Sequence, residues 1–206
     1  MSRAGLAALF SLALIGCKPS APVVCAIEVP LFDVGSFRLE PEGSDPFAVD
    51  HQPDAGVSMD AGTSSTSTTT FVRGRCGLDD IKPELLGDTP SYSITTLFCS
   101  WGTLRTVLEQ PIVAGEKLHL RIWYFSQQRF NTAEAKLEIR VDGKKLWNGT
   151  VMVPTSGSLI VEDIDAPFSA DVGAELLWNV SNHGSNSWNF IELAKDGMGA
   201  CPDAGP

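Results

Sequence analysis

Cys17 has the most specific chemical setting of any residue in the chain. It follows an apolar run from Ala4 to Ile15, and the small residue Gly16 stands directly before it. A cysteine thiol is a nucleophile that can carry a covalent group. Arg3 is the one charged side chain ahead of the run, and the run is shorter than the about 20 apolar residues of a membrane-spanning helix. Residues 1–16 are therefore predicted to be a secretory signal peptide.

The sequence Leu14-Ile15-Gly16-Cys17 resembles the lipobox of bacterial lipoproteins. This resemblance implies that the Cys17 sulfur carries a diacylglycerol, that the chain is cleaved before Cys17, and that lipid holds the mature protein on a membrane. Lys18 replaces the aspartate that typically retains lipoproteins in the inner membrane, which implies the outer membrane. The alternative is an ordinary signal peptide, cleaved near Cys17 or Ser20, with Cys17 as a structural cysteine.

The charge of the chain limits its partners. The formal net charge is −10 at pH 7, and no basic cluster occurs along the sequence. Nucleic acid would be repelled by this charge and is excluded as a partner. The expected partners are a membrane, contacted through the lipid anchor, and an envelope protein or a glycan.

The remaining four cysteines favour disulfides. An even number of cysteines in an exported chain predicts two bonds, for which three connectivities exist. We expect Cys76 to pair with Cys99, closing a local loop, and Cys25 to pair with Cys201, joining the two ends of the domain.

Metal binding and catalysis have little support in the sequence. No C-x-x-C pair occurs, and His51, His119 and His183 lie far apart, so neither a metal site nor a cofactor is expected. The sequence also lacks the motifs of a nucleophile elbow, a zinc protease helix and a P-loop. Neighbouring acids, Asp79 with Asp80 and Asp163 with Asp165, are typical of solvated loops. The protein is predicted not to be an enzyme.

Composition divides the chain into segments. Residues 41–70 lose apolar periodicity and collect Pro, Gly, Asp, Ser and Thr, which predicts a disordered loop; a glycosylated stalk is the alternative. The predicted organisation is a signal peptide at 1–16, a lipidated N-terminus with the first strands at 17–40, the loop at 41–70, a β-sandwich at 71–195 and a C-terminal tail at 196–206. Val23–Val29 and Ser36–Leu39 are the predicted first strands.

Alternating apolar and polar residues dominate the chain after the loop. Residues 118–125 and 135–141 alternate with period two, which predicts half-buried antiparallel strands. Asp142-Gly143 predicts a tight hairpin leading into residues 146–153, where Pro154 ends the strand. Further strands are predicted at 158–161, 174–180 and 187–193, and one helical turn at Asp79–Leu86. The predicted fold is all-β, a single antiparallel β-sandwich of jelly-roll type, interrupted by the disordered loop.

The order of these segments resembles galactose-binding-like and carbohydrate-binding-module jelly rolls. The resemblance covers Phe71 to Leu193 and carries no binding residue over to this chain. It rests on Gly115-Glu116-Lys117-Leu118, Val141-Asp142-Gly143, Ala174-Glu175-Leu176-Leu177-Trp178-Asn179-Val180 and Ser187-Trp188-Asn189-Phe190.

The loop from Asn182 to Trp188 contains groups that suit a sugar. Amides exchange hydrogen bonds with hydroxyls, and an indole face stacks on a pyranose ring. The candidate ligand-binding residues are Trp147, His183, Asn186 and Trp188. The alternative is an ordinary hairpin loop with Trp188 in the core. Trp178 is predicted to be buried, and Trp147, which follows a charged hairpin, to be exposed.

Two functions follow from these observations. The first is a lipid-anchored envelope protein with a structural or protein-interaction role and no catalysis. The alternative is a surface glycan-binding module that uses the aromatic and Asn/His-lined loop.

Overall fold

A computed structural model of the chain describes residues 24–40, 75–97, 99–127, 132–181 and 187–200. These residues form strands and two short 3-10 turns, at Val34–Ser36 and Leu78–Asp80. The strands are β1 (Val24–Pro30), β2 (Arg38–Leu39), β3 (Ile81–Leu86), β4 (Thr89–Thr95), β5 (Trp101–Val107), β6 (Lys117–Tyr124), β7 (Ala133–Val141), β8 (Lys144–Val153), β9 (Ser158–Asp165), β10 (Glu175–Ser181) and β11 (Ser187–Ala200). Within the described ranges, no helix has the length and apolar character needed to cross a membrane.

The strands form two antiparallel sheets. Sheet A has the order β3-β4-β11-β6-β9, with β1 also paired to β11, and sheet B has the order β2-β5-β10-β7-β8. From β4 to β11 the chain passes between the sheets at every connection except the β7–β8 hairpin. Two four-stranded sheets, β4-β11-β6-β9 and β5-β10-β7-β8, are therefore linked in the pattern of a jelly roll. The predicted fold class is confirmed.

The core lies between the sheets and is built by alternation. Leu118, Leu120 and Ile122 of β6 are fully buried, and the residues between them face outward. Phe37, Trp178 and Phe190 form an aromatic cluster at its centre, with ring centroids 5.2 to 6.4 Å apart. Trp178 is buried as predicted.

The predicted hairpin is present at residues 142 and 143. Asp142 and Gly143 have φ values of 47° and 73°, which is the left-handed geometry that a two-residue turn between antiparallel strands requires. The Asp142 carboxylate also accepts a hydrogen bond from the backbone N–H of Glu175, at 2.9 Å.

The N-terminal segment belongs to the sandwich. Strand β1 pairs with the end of β11, and β2 pairs with β5. Strand β11 continues to Ala200, past residue 195, where the sequence predicted the sandwich to end. Residues 41–70, predicted to be a disordered loop, lie outside the described residues.

The predicted helical turn at Asp79–Leu86 is wrong. A 3-10 turn at Leu78–Asp80 is followed directly by strand β3. The Asp80 carboxylate accepts a hydrogen bond from the Gly77 N–H at 2.8 Å, which caps the start of the 3-10 turn. Pro83 lies in β3, which pairs with β4 alone at the edge of sheet A, where a missing N–H is tolerated.

The predicted disulfide between Cys76 and Cys99 is confirmed. Its Cα atoms are 4.9 Å apart, and both residues are buried. Cys25 is also disulfide-bonded. Cys201, the partner predicted for it, lies outside the described residues, two positions after Gly199, which pairs with Cys25 in the β1–β11 register.

Candidate functional site

Most of the predicted sugar-binding loop lies outside the described residues. His183 and Asn186 lie outside the described ranges. Trp188 is fully buried, with its ring centroid 5.1 Å from that of Tyr124. It faces inward on β11 and therefore cannot stack on a ligand at the surface. The candidate role of Trp188 is corrected, and the alternative, a core tryptophan, is confirmed.

The prediction that Trp147 is exposed is also wrong. A β-bulge between Ile139 and Arg140 leaves Leu146 without a partner in β7, so Leu146 and Trp147 both face the core. The ring of Trp147 lies over Gly149, where a Cβ atom would be 2.5 Å from it. Trp147 is half-buried at the edge of the core and is not an exposed stacking platform.

The outer face of sheet B carries a line of hydrogen-bonding side chains, which we call the polar row: Thr103, Asn179, Glu138 and Asn148. These residues lie opposite one another across β5, β10, β7 and β8. The Thr103 hydroxyl donates to Asn179 Oδ1 at 2.8 Å, and Asn179 Nδ2 donates to Glu138 Oε1 at 3.4 Å. The first three are buried, whereas Asn148 is exposed. The row is an ordered hydrogen-bonded network of hydroxyl, amide and carboxylate groups, and Asn148 is its exposed member.

A second line lies beside the polar row, and we call it the cationic row: Arg38, Arg105, Arg140 and Lys145. Arg38 is opposite Arg105, and Arg140 is opposite Lys145. Leu177 lies between the two pairs, opposite both Arg105 and Arg140. The β8 bulge produces this arrangement, because it sets Lys145 against Arg140.

The Glu138 carboxylate balances the charge at one end of the cationic row and lies beneath the cations. Arg140 donates to Glu138 through Nε at 2.5 Å and Nη2 at 3.2 Å, and Lys145 Nζ is 3.6 Å from Glu138. The Glu138 side chain is 5% exposed, against 35% for Arg140 and 53% for Lys145. The cations therefore face solvent.

The other end of the cationic row borders a pocket. This pocket, of about 340 Å³, is open to solvent and is lined by Ser36, Arg38, Leu39, Arg105, Thr106 and Val107. Arg105 pairs with Glu175 at 2.9 Å and with Glu40 at 3.5 Å. Arg38 donates to the backbone oxygens of Gly35 and Phe37, and it pairs with no carboxylate among the described residues.

One tryptophan lies on the same face. Trp101 is half-buried and lies opposite Ser181, one row from Thr103 and Asn179. The Arg75 guanidinium is 5.5 Å from the centroid of its ring, which is cation–π geometry. The sequence leaves Trp101 open between a core position and a ligand-binding one, and Trp101 is not among the four candidate ligand-binding residues.

The outer face of sheet A is dominated by ion pairs around His119. Its Nδ1 is 2.9 Å from Asp163 on β9, and its Nε2 is 3.0 Å from Asp196 on β11. These two hydrogen bonds raise the pKa of His119 above its ordinary value of 6.5. The imidazole thus joins three strands of the sheet.

Neighbouring ion pairs extend this arrangement. Lys117 is 2.7 Å from Asp165, and the hydrogen bond between them raises the pKa of Lys117. Arg121 binds Glu28 at 2.9 Å and Glu192 at 3.0 Å. Burial raises the pKa of Glu192. Asp165, like Asp163, therefore serves in a cross-strand ion pair.

Cys76 and Cys99 offer no metal site. Cys76, Asp80 and Cys99 are the group of described residues close enough to share an ion. Because the two cysteines form a disulfide, their sulfurs are not thiolate ligands.

Comparison with known proteins identifies no family. No protein-family model matches the chain, and no curated protein matches it. Among solved structures, a carbohydrate-binding module that recognises mannan is 11% identical, and the match covers 58% of this chain and 81% of that one, with a TM-score of 0.40. A carbohydrate-binding module specific for non-crystalline cellulose is 9% identical over 56% of this chain and 80% of that one, with a TM-score of 0.40.

A glycosidase gives a similar likeness. An arabinose-bound α-L-arabinofuranosidase is 12% identical over 58% of this chain, with a TM-score of 0.37, and this chain spans 23% of its length. Likenesses of this extent assign the chain neither a ligand nor a reaction.

Proposed function

We propose that the protein is a noncatalytic glycan-binding module, held on the cell envelope by lipid at Cys17, with the outer face of sheet B as its binding surface. The observation that carries the proposal is the polar row. Carbohydrate-binding modules are among the solved structures that the chain weakly resembles, but the proposal depends on the polar row instead.

The polar row suits a chain of sugars because its side chains are already ordered. Sugar hydroxyls both donate and accept hydrogen bonds, as do amides and hydroxyls of proteins. The hydrogen bonds from Thr103 to Asn179 and from Asn179 to Glu138 hold these groups in place, so little side-chain entropy is lost when a ligand binds. Asn148 at the exposed end offers an amide to solvent.

The shape of the face favours an extended ligand over a small one. The polar row crosses four neighbouring strands, which at about 4.8 Å per strand is about 14 Å. Trp101 lies one row away and is half-buried, with the Arg75 guanidinium over its ring, so only part of the ring is open to a sugar. An oligosaccharide lying across the strands would contact Asn148, the exposed member of the row, and the accessible part of Trp101.

A glycan array probed with the purified full-length protein tests this proposal. We expect binding to a defined set of glycans, weakened by Asn148→Ala, because Asn148 is the exposed amide of the row. Thr132→Ala is the control, since Thr132 is also an exposed polar residue and lies just before β7, away from the row. If no glycan is bound, or if both variants weaken binding equally, the proposal fails.

Protein interaction through sheet A is the second candidate function. Leu159 and Val161 on the edge strand β9 are 43% and 60% exposed. They border Trp123, whose ring is 6.2 Å from that of Phe125, on the same outer face. Contiguous exposed apolar side chains of this kind are typical of interaction surfaces.

A photo-crosslinker placed at Val161 in living cells tests the second candidate. If sheet A is an interaction surface, we expect the crosslinker at Val161 to form a discrete adduct with an envelope protein. Val172, which is also 60% exposed but lies in a turn, is the matched control position. The same adducts from both positions, or none from Val161, would exclude this surface as an interface.

A further inference from the structure

We infer that the ligand of sheet B is an acidic glycan, and that the pocket between Arg38 and Arg105 holds one of its carboxylate or sulfate groups. This inference rests on the proposed function and narrows its ligand class. The cationic row and the pocket carry it.

The cationic row spans the whole sheet. Its four residues lie in register on β2, β5, β7 and β8, with Leu177 of β10 in the middle. Four interstrand steps of about 4.8 Å give a length of about 19 Å. The cationic row runs beside the polar row and parallel to it. A polymer bound along the polar row would therefore also contact the cationic row.

Like charges face each other in this row. Arg38 lies directly opposite Arg105, and Arg140 lies opposite Lys145. Like charges in directly opposed positions destabilise a sheet, and the chain as a whole is acidic, with a formal net charge of −10. Glutamates offset this repulsion at Arg105, Arg140 and Lys145, whereas at Arg38 a bound anion would supply the missing negative charge.

Three cations of the row are paired with carboxylates, Arg140 and Lys145 with Glu138 and Arg105 with Glu175 and Glu40, which leaves Arg38 open to an anion. Glu138 lies beneath Arg140 and Lys145 and is 5% exposed, so it fixes the cations without covering them. At the other end, Arg38 uses backbone oxygens as its acceptors and pairs with no described carboxylate. An anion reaching Arg38 therefore displaces no carboxylate of the described residues from it.

The pocket gives the anion a defined position. Arg38 and Arg105 are two of the six residues that line its volume of about 340 Å³. Ser36 and Thr106, also in the lining, are hydrogen-bonded to each other through their hydroxyls. The guanidinium of Arg38 matches the planar, bidentate geometry of carboxylates and sulfates, and Arg105, which is paired with Glu175 and Glu40, adds positive charge beside it. Neutral sugars have no group that uses this geometry.

Matched polymers test the inference with the full-length protein. Polygalacturonate and its methyl ester share a backbone and differ in charge, and dextran sulfate and dextran form the equivalent sulfate pair. We expect tighter binding to one acidic polymer than to its neutral counterpart, with an affinity that falls as salt rises. Arg38→Gln should lower affinity for that acidic polymer about tenfold, the effect of one charge-assisted hydrogen bond.

Lys82→Gln is the matched control. It removes one positive charge from an exposed position on sheet A, where Lys82 pairs with Glu84, and should leave both affinities unchanged. An equal loss in Lys82→Gln and Arg38→Gln would show that net charge, and not the pocket, determines binding, and would overturn the inference.

The remaining outcomes separate this inference from the proposed function. If the protein binds neutral and acidic polymers equally and Asn148→Ala weakens both, the acidic class is wrong and the proposed function stands. If the array and the polymers all show no binding, both fail. Binding to vesicles of anionic lipid that Arg38→Gln abolishes, without polymer binding, would assign the row to a membrane and overturn the inference.

Discussion

The Arg140 guanidinium forms a two-point ion pair with the Glu138 carboxylate, two residues earlier on the same strand. Arg140 Nε is 2.5 Å from Oε1, and Nη2 is 3.2 Å from Oε2. Glu138 is nearly inaccessible to solvent at 5% exposure. A carboxylate in such a place requires a partner, because an unpaired buried charge is costly.

Removing the guanidinium should destabilise the fold more than removing the carboxylate. We expect Arg140→Gln to lower the free energy of unfolding by about 1–3 kcal/mol, because Glu138 keeps its charge and loses its main partner. Glu138→Gln should cost less, and the double variant should recover part of the loss. Urea unfolding of the three variants measures this, and wild-type stability in Arg140→Gln would refute it.

The packing of Trp147 over Gly149 predicts the effect of one added methyl group. An alanine at position 149 would place its Cβ 2.5 Å from the Trp147 ring, so the ring must move from the core edge. We expect Gly149→Ala to cost about 1–3 kcal/mol of stability. In a Trp147→Ala background the same change should cost far less. Equal costs in both backgrounds would show that the ring is not the cause.

Sequence alone predicted the elements whose signals are local. Leu118, Leu120 and Ile122 alternate with polar residues along one strand, and their burial in β6 follows that period. Asp142-Gly143 specified its turn through the left-handed conformations that these residues tolerate. The segment Ile81–Leu86 is predicted as part of a helical turn that Pro83 limits, whereas its edge position in sheet A makes the proline acceptable in a strand.

The candidate surface could not be predicted in the same way. Alternation from the buried Leu146 places Trp147 outside, and the bulge that turns it inward has no signal in the sequence. Residues 136, 138 and 140 were predicted to form a polar face. Their alignment with Arg38 and Arg105 depends on strand register between segments far apart in the chain, which no local pattern specifies.

The Cys76–Cys99 disulfide should contribute a measurable share of stability. It joins residues 23 apart in sequence, for which the chain-entropy model gives about 3 kcal/mol. We expect the double variant Cys76→Ala/Cys99→Ala to lose about this amount in urea unfolding. The variant isolates this bond from that of Cys25, which a reducing agent would also cleave. Unchanged stability would show that the constraint does not act on the unfolded chain.

Lipid attachment at Cys17 remains a prediction from the sequence, since Cys17 lies outside the described residues. A palmitate analogue fed to a bacterial host should label the wild-type protein, because the Cys17 thiol is the proposed acceptor. The label should be absent from Cys17→Ser. Labelling that persists in the variant would place the lipid elsewhere or exclude a lipobox.

The ion pairs of His119 predict a pH-dependent contribution to stability. Hydrogen bonds to Asp163 and Asp196 raise the pKa of His119 above 6.5 in the folded protein. A pKa that is higher in the folded than in the unfolded state means that folding favours the protonated imidazole. The added stability is therefore fully present below about pH 6.5, the unfolded value, and is lost as pH rises through the folded pKa.

His119→Gln isolates that contribution, because glutamine cannot gain a proton in this range. We expect the difference in unfolding free energy between wild type and His119→Gln to be larger at about pH 5.5 than at about pH 8.5. Asp163→Asn should reduce the pH dependence, since a neutral amide replaces the carboxylate whose hydrogen bond has the largest effect on the His119 pKa. Lys82→Gln, which is remote from His119 on β3, should leave it unchanged. A wild-type to His119→Gln difference that stays constant across this range would show that the imidazole has the same proton affinity in the folded and unfolded chains.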